Sequence, residues 1–136
     1  MKANELMVGD IILYEYDKKR FPARVEEIYL DSALVEEVNG EFEPIEIEEN
    51  ELFPIPLTPE ILEKNGFVKN EKAKSKKSHT IIDSDVYISW WRNRANIVVL
   101  RRHIGLSSNH VNVDAKHVHQ LQHALRLCGI EKAIEI

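Results

Sequence analysis

Four of the six histidines, His110, His117, His119 and His123, fall within fourteen residues. His119 and His123 are four apart, so on a helix they share a face, the spacing at which two imidazoles can hold one metal ion with His110 or Asp114 as further ligands. The zinc-protease form of that pair is absent, because Gln120 follows His119 and no glutamate lies between the two histidines to serve as base. Both therefore read as part of a solvated helix face, and no metal is expected. Nucleophilic catalysis has no better footing: no G-x-S-x-G is present, and Ser107-Ser108 near His110 is too common a pairing to signify. The five glycines stand singly at 9, 40, 66, 105 and 129, each where a turn or cap would need one, so no phosphate-cradling loop exists and no cofactor is implied. The glutamates of 36–51 alternate with apolar residues as the outer face of a sheet should and lack the spacing of a calcium loop. No catalytic motif remains.

A different chemistry is available in the C-terminal half. Lys74, Lys76 and Lys77 belong to a basic run, and Arg92, Arg94 and Arg101 follow a tryptophan pair, Trp90-Trp91. Positive charge beside an aromatic ring on which a base can stack is the combination used by proteins that bind single-stranded nucleic acid. Strand alternation lets only one of the two tryptophans face a core, and the other is free to anchor a ligand or to cover neighbouring arginine stems. Charge works against this reading. The whole chain carries −5, and residues 1–66 hold 17 Asp/Glu against 6 Lys/Arg, whereas residues 67–136 hold 6 against 12. An acidic half repels a phosphate backbone lying near it and suits a basic protein surface instead. The expectation is a non-catalytic interaction protein, adaptor or inhibitor-like, with a protein partner. Single-stranded nucleic acid bound by the residues just named is the alternative. The sequence sets no oligomeric state.

The elements that must position these residues turn on the stretch 52–67. Pro54, Pro56 and Pro59 hold the entering backbone extended, Thr58 reads as an N-cap with Pro59 at the first helical position, and Gly66 is a left-handed stop with Phe67 folding back on Leu62. A short helix over 59–65 follows. Before it, strands are expected at 11–16, 21–30, 33–38 and 41–47, with turns at 17–20 and 31–32, and with Asn39-Gly40 as a two-residue type I′ hairpin turn. Pro44 marks an edge or a bulge. Residues 1–56 thus form a small all-β module, a curled sheet or open barrel of SH3-like type. After the helix, 69–78 reads as a basic loop and 83–85 as a turn. Strands are expected at 79–82, 86–91, 97–100 and 110–113, with loops at 92–96 and 104–109. A helix then runs over 114–128 with Asp114 as its cap and Gly129 as its stop, laid on the sheet by Val118, Leu121 and Leu125. Cys128 reads as a buried structural thiol, and 130–136 as a terminal strand using Ile134 and Ile136. Residues 57–136 make an α+β module, and the whole is α+β.

With 43% hydrophobic residues the chain can build a core. It has no apolar run near the roughly 18 residues that span a bilayer and no signal-peptide start, which points to a cytoplasmic protein without a membrane partner. Leu6-Met7-Val8-Gly9-Asp10, the Pro54–Thr58 segment leading to Asn65-Gly66-Phe67, and Val118-His119-Gln120-Leu121-Gln122 together resemble a family of short uncharacterised bacterial proteins, many of them associated with prophages or mobile elements. The resemblance implies no activity.

Overall fold

The structure, a computed structural model, describes residues 1–40, 42–69, 78–81, 86–91, 94–103, 106–127 and 129–136, with side-chain detail outside 69–113. The fold is α+β. The chain divides into two units, the first made of residues 1–55 together with 117–123, the second of 56–116 together with 124–136.

The first unit is a curled antiparallel sheet of β1 (Ile11–Tyr16), β2 (Lys19–Ile28), β3 (Ser32–Glu37), β4 (Ile45–Glu48) and β5 (Leu52–Phe53), in the order β4-β3-β2-β1-β5. Its inner face is written in the register. Ile12 pairs with Ala23, Val25 with Val35, and Ala33 with Ile47, and all six are buried. The core also takes Leu6 and Leu52, with Met1, Phe21 and Ile28 packed at its margin. A register shift between Val25 and Glu27 bulges β2, which lets Ile28 reach the inner side as Val25 does.

Two turns exchange roles relative to expectation. The two-residue hairpin with positive φ is Asp17-Lys18 (48° and 59°), not Asn39-Gly40. The latter region closes a turn one residue earlier, with Gly40 N–H donating to Glu37 O, and β4 begins only at Ile45. The reason is register. A two-residue Asn39-Gly40 turn would set Ile45 and Ile47 opposite Leu34 and Ser32, on the outer face. The longer connection pairs them with Val35 and Ala33 on the inner one. Pro44 lies just before β4, which is an edge strand, as a proline there requires.

In the second unit, α1 (Pro59–Lys64) starts at Thr58, whose Oγ1 accepts from Ile61 N–H at 3.3 Å, and ends before Gly66 at φ 82°. Leu62 and Phe67 are both fully buried. The second sheet contains β6 (Phe67–Lys69), β7 (Ser78–Ile81), β8 (Val86–Trp91), β9 (Arg94–His103) and β10 (Leu106–Ala115), in chain order and antiparallel. β9 and β10 are each ten residues long, well beyond the short strands expected at 97–100 and 110–113.

α2 spans Val118–Leu127. Asp114 is not its cap: it pairs with Asn96 in the ladder of β10 and β9, where Ala115 is buried. The N-terminal turn is closed instead by Gln120, whose Oε1 accepts from His117 N–H at 3.2 Å. At the other end Gly129 (φ 72°) donates to Arg126 O and Ile130 N–H to Leu125 O, the paired bonds of a left-handed helix stop. Val118, Leu121, Ala124 and Leu125 are buried. Residues 117–123, however, group with the first sheet and not with the second, to which the whole helix was assigned from sequence.

No strand forms over 130–136. The Asn65 side chain takes the place of a strand partner, donating to Glu135 O (2.6 Å) and accepting from Glu135 N–H (2.8 Å), and Ile134 is buried. Cys128, the turn at 83–85 and the loop over 70–77 lie outside the described residues.

Candidate functional site

Alternation along β1 places Tyr14 and Tyr16 on the same face as Ile12, and the cross-strand partner of Tyr14 is Phe21. On β3 the same rule puts Glu37 in line with Ala33 and Val35, opposite Ala23, so it lies on the inner face and not on the outer one expected of these glutamates. The sheet's apolar filling stops short of this end. What remains is a cleft of about 580 Å³ lined by Tyr14, Tyr16, Phe21, Glu37, Phe42, Glu43 and Ile45. That volume falls in the range of small-ligand pockets.

The cleft has a fixed floor and an open rim. Tyr14 is buried, its ring 5.5 Å from that of Phe21, and its hydroxyl donates to Glu37 Oε1 at 2.5 Å. Burial, and then this bond to a carboxylate, push the Tyr14 phenol up to about 12, so it is a neutral donor at physiological pH. One Glu37 lone pair is thereby used and the carboxylate keeps further acceptor positions. At the rim, Phe42 is 74% exposed, Tyr16 64% and Ile45 43%. Solitary exposed apolar residues are ordinary on protein surfaces, but these three gather on one concavity beside two carboxylates.

The histidines form a separate cluster at the opposite end of β1. Gly9 (φ 87°) turns the chain, Asp10 Oδ2 accepts from Met7 N–H (2.8 Å), and the fully buried Asp10 carboxylate meets His123 Nε2 at 2.6 Å. With the carboxylate ionised the ring nitrogen is the donor, and with the carboxylate protonated the roles reverse. Gln122, buried, accepts from Ile11 N–H (2.9 Å) and donates to Gly9 O (3.0 Å). The His119 ring stacks on His117 and meets His123 edge-on, at 5.7 Å in both cases. His119 is buried, its Nδ1 without a hydrogen-bond partner among the described residues. Burial, and then the charges of His123 and His117, lower its pKa to about 4. The solvated helix face expected for His119 and His123 is thus corrected: His119 is buried, and His123 is held against the start of β1 by Asp10. Among the described residues no group of three or more His, Cys, Asp or Glu can hold a metal ion. The cluster is a clamp in which the turn 6–10 and the helix start, two of the motifs singled out in the sequence, are bonded to each other.

Of the residues expected to contact nucleic acid or a partner, Lys74, Lys76, Lys77 and Arg92 lie outside the described residues. Trp90 and Trp91 end β8, opposite Ala95 and Arg94 of β9, and Arg101 lies further along β9 opposite Asn109. The cleft residues were not foreseen. The signal that finds them is Glu37, a glutamate at the inward phase of a strand whose other inward positions are alanine and valine.

Compared with protein-family models, curated proteins and solved structures, the chain matches none. No helix among the described residues is long and apolar enough to cross a membrane.

Proposed function

We propose that the protein is a non-catalytic interaction module, adaptor or inhibitor-like, that engages a protein partner through the open end of its N-terminal sheet. One observation carries the reading: three exposed apolar side chains, Tyr16, Phe42 and Ile45, converge with Glu37 and Glu43 on one concavity. Exposed apolar surface gathered in this way, with polar groups at its edge, is the usual form of a recognition site. The net −11 of residues 1–66 supports a basic partner surface, since complementary charge steers association. The sequence resemblance adds a bacterial, prophage-associated origin to the proposal.

The test is site-specific photo-crosslinking in the source cell. Phe42→p-benzoylphenylalanine should capture one defined protein, and the same probe at Leu30, which is exposed but does not line the cleft, should not. Absence of any product specific to position 42 refutes the reading. Sub-micromolar binding of a single-stranded oligonucleotide, lost when Lys74, Lys76 and Lys77 are neutralised, replaces it with the nucleic-acid alternative.

A further inference from the structure

We infer that the cleft receives the guanidinium of an arginine borne by an extended segment of the partner protein, an inference that rests on the interaction reading above. The lining offers four aromatic rings, Tyr14, Tyr16, Phe21 and Phe42, two carboxylates, Glu37 and Glu43, and no lysine or arginine among the described residues. Ring faces carry negative potential and attract a cation placed over them, more strongly when water is displaced. The carboxylates add the same sign of field. An anionic ligand, nucleic acid included, meets only repulsion here.

Shape separates arginine from other cations. A guanidinium is planar, stacks on an aromatic face and at the same time donates in its own plane, so one group can use both a ring and a carboxylate. A quaternary ammonium packs on a ring but has no N–H to donate to Glu37 or Glu43, and a lysine ammonium donates but is more strongly hydrated and has no face to stack. The rim residues that would cover the stem of such a side chain, Phe42 and Ile45, are apolar, and a cleft of about 580 Å³ has room for the side chain and for neighbours on either side of it.

The same sheet already holds one guanidinium in this manner. Arg20 places its central carbon 3.7 Å from the centroid of the Phe53 ring, while its Nε donates to Glu15 Oε2 at 3.2 Å. Aromatic face and carboxylate together therefore suffice, on this surface, to fix an arginine without a buried partner. The cleft repeats those two elements with more rings and a more enclosed floor, and no cation lines it among the described residues.

The experiment titrates the full chain with a blocked five-residue peptide, a central arginine between valines, followed by backbone amide NMR shifts. Saturable shifts at Tyr14, Tyr16, Glu37 and Phe42 are expected, weakening as salt is raised. The peptide with citrulline, the same shape without charge, should bind about tenfold more weakly, as should the arginine peptide to Phe42→Ala or Glu43→Gln. Both substitutions fall at the open rim, so an unchanged melting temperature confirms that the fold is intact. Equal binding of arginine and citrulline peptides overturns the inference, as do shifts confined to residues away from the cleft. Tighter binding of tetramethylammonium than of the arginine peptide overturns it in favour of an alkylammonium ligand. If the peptide fails while Phe42→p-benzoylphenylalanine still captures a defined protein, the arginine is wrong and the interaction reading stands. If both fail, the interaction reading is wrong too.

Discussion

At the start of β1, Asp10 and Gln122 bring polar groups into the sheet and each finds a partner inside the chain: Met7 N–H and His123 for the carboxylate, Ile11 N–H and Gly9 O for the amide. At the end of the same strand, Glu37 is also turned inward, yet among the described residues its carboxylate is bonded to Tyr14 alone, and the space beside the pair is open. Both places put a carboxylate where a curled sheet ordinarily puts valine. The difference lies in closure. Asp10 and Gln122 are buried and bonded within the chain, which fixes the helix start against β1, whereas Glu37 is half-buried beside an open concavity where water or a ligand can take its remaining acceptor positions. On that ground the histidine cluster, which drew attention first by residue type, is read as architecture, and the tyrosine and phenylalanine cleft as the candidate site proposed above.

The sharpest way to break this distinction is to attack the closed end. Leu121 is fully buried on the apolar face of the helix that carries the clamp, away from His119, Gln122 and His123, and Leu121→Ala should cost about 2–5 kcal/mol in urea unfolding. A loss below about 0.5 kcal/mol, the level of a surface change, would place the helix wrongly.

The second test uses protons. The pKa of His119 lies at about 4 in the fold against an ordinary 6.5, lowered by burial and by His123 and His117. The unfolded chain therefore takes up the proton first as the pH falls, so this contribution is intact above 6.5 and is lost progressively down to about 4. It amounts to roughly 3 kcal/mol over that window. The His119→Leu variant should flatten this part of the stability profile. An unchanged slope would mean that His119 is solvated.

Third, Gln122→Ala leaves Ile11 N–H and Gly9 O without their side-chain partner, at a cost of roughly 1–3 kcal/mol, mostly from the buried N–H. The smallest effect belongs to the open end. Phe42→Ala should change stability by less than about 0.5 kcal/mol, because its ring is three-quarters exposed. A loss comparable to that of Leu121→Ala would make Phe42 a core residue and the cleft a packing defect.

Local signals read well wherever local chemistry decides. Ile11–Tyr16 and Val86–Trp91 are strands with the bounds that their apolar and aromatic runs suggest, and the Thr58-Pro59 start and Gly66 stop frame α1. Local signals mislead wherever register or distance decides. Asn39-Gly40 has the strongest hairpin composition in the chain, yet the need to bury Ile47 opposite Ala33 overrides it. Asp114 is a good cap that the β9–β10 ladder claims first. Gln122 and His123 look solvated because the groups that satisfy them, at residues 9–11, are more than a hundred residues away. The cleft was hidden for a related reason: Tyr14, Tyr16 and Glu37 acquire a common face only through the pairings of β1, β2 and β3, which no single stretch of sequence displays.

The clamp has a consequence for the order in which the molecule is made. Ile11 and Gln122 are 111 residues apart, and Asp10 and His123 are 113 apart. At ribosomal rates that interval is on the order of ten seconds. Only in the later part of that interval, once Phe53 has been added and has left the ribosome, is the first sheet whole, and its entry turn is then still unbraced, with Ile11 N–H and Gly9 O lacking the Gln122 side chain. Contacts of such separation also slow folding, since the loop between them must be closed before they contribute. The half of the chain that is synthesised first is completed last, and a nascent chain that stalls before residue 117 presents an acidic sheet with an open seam to whatever chaperone or protease surveys it.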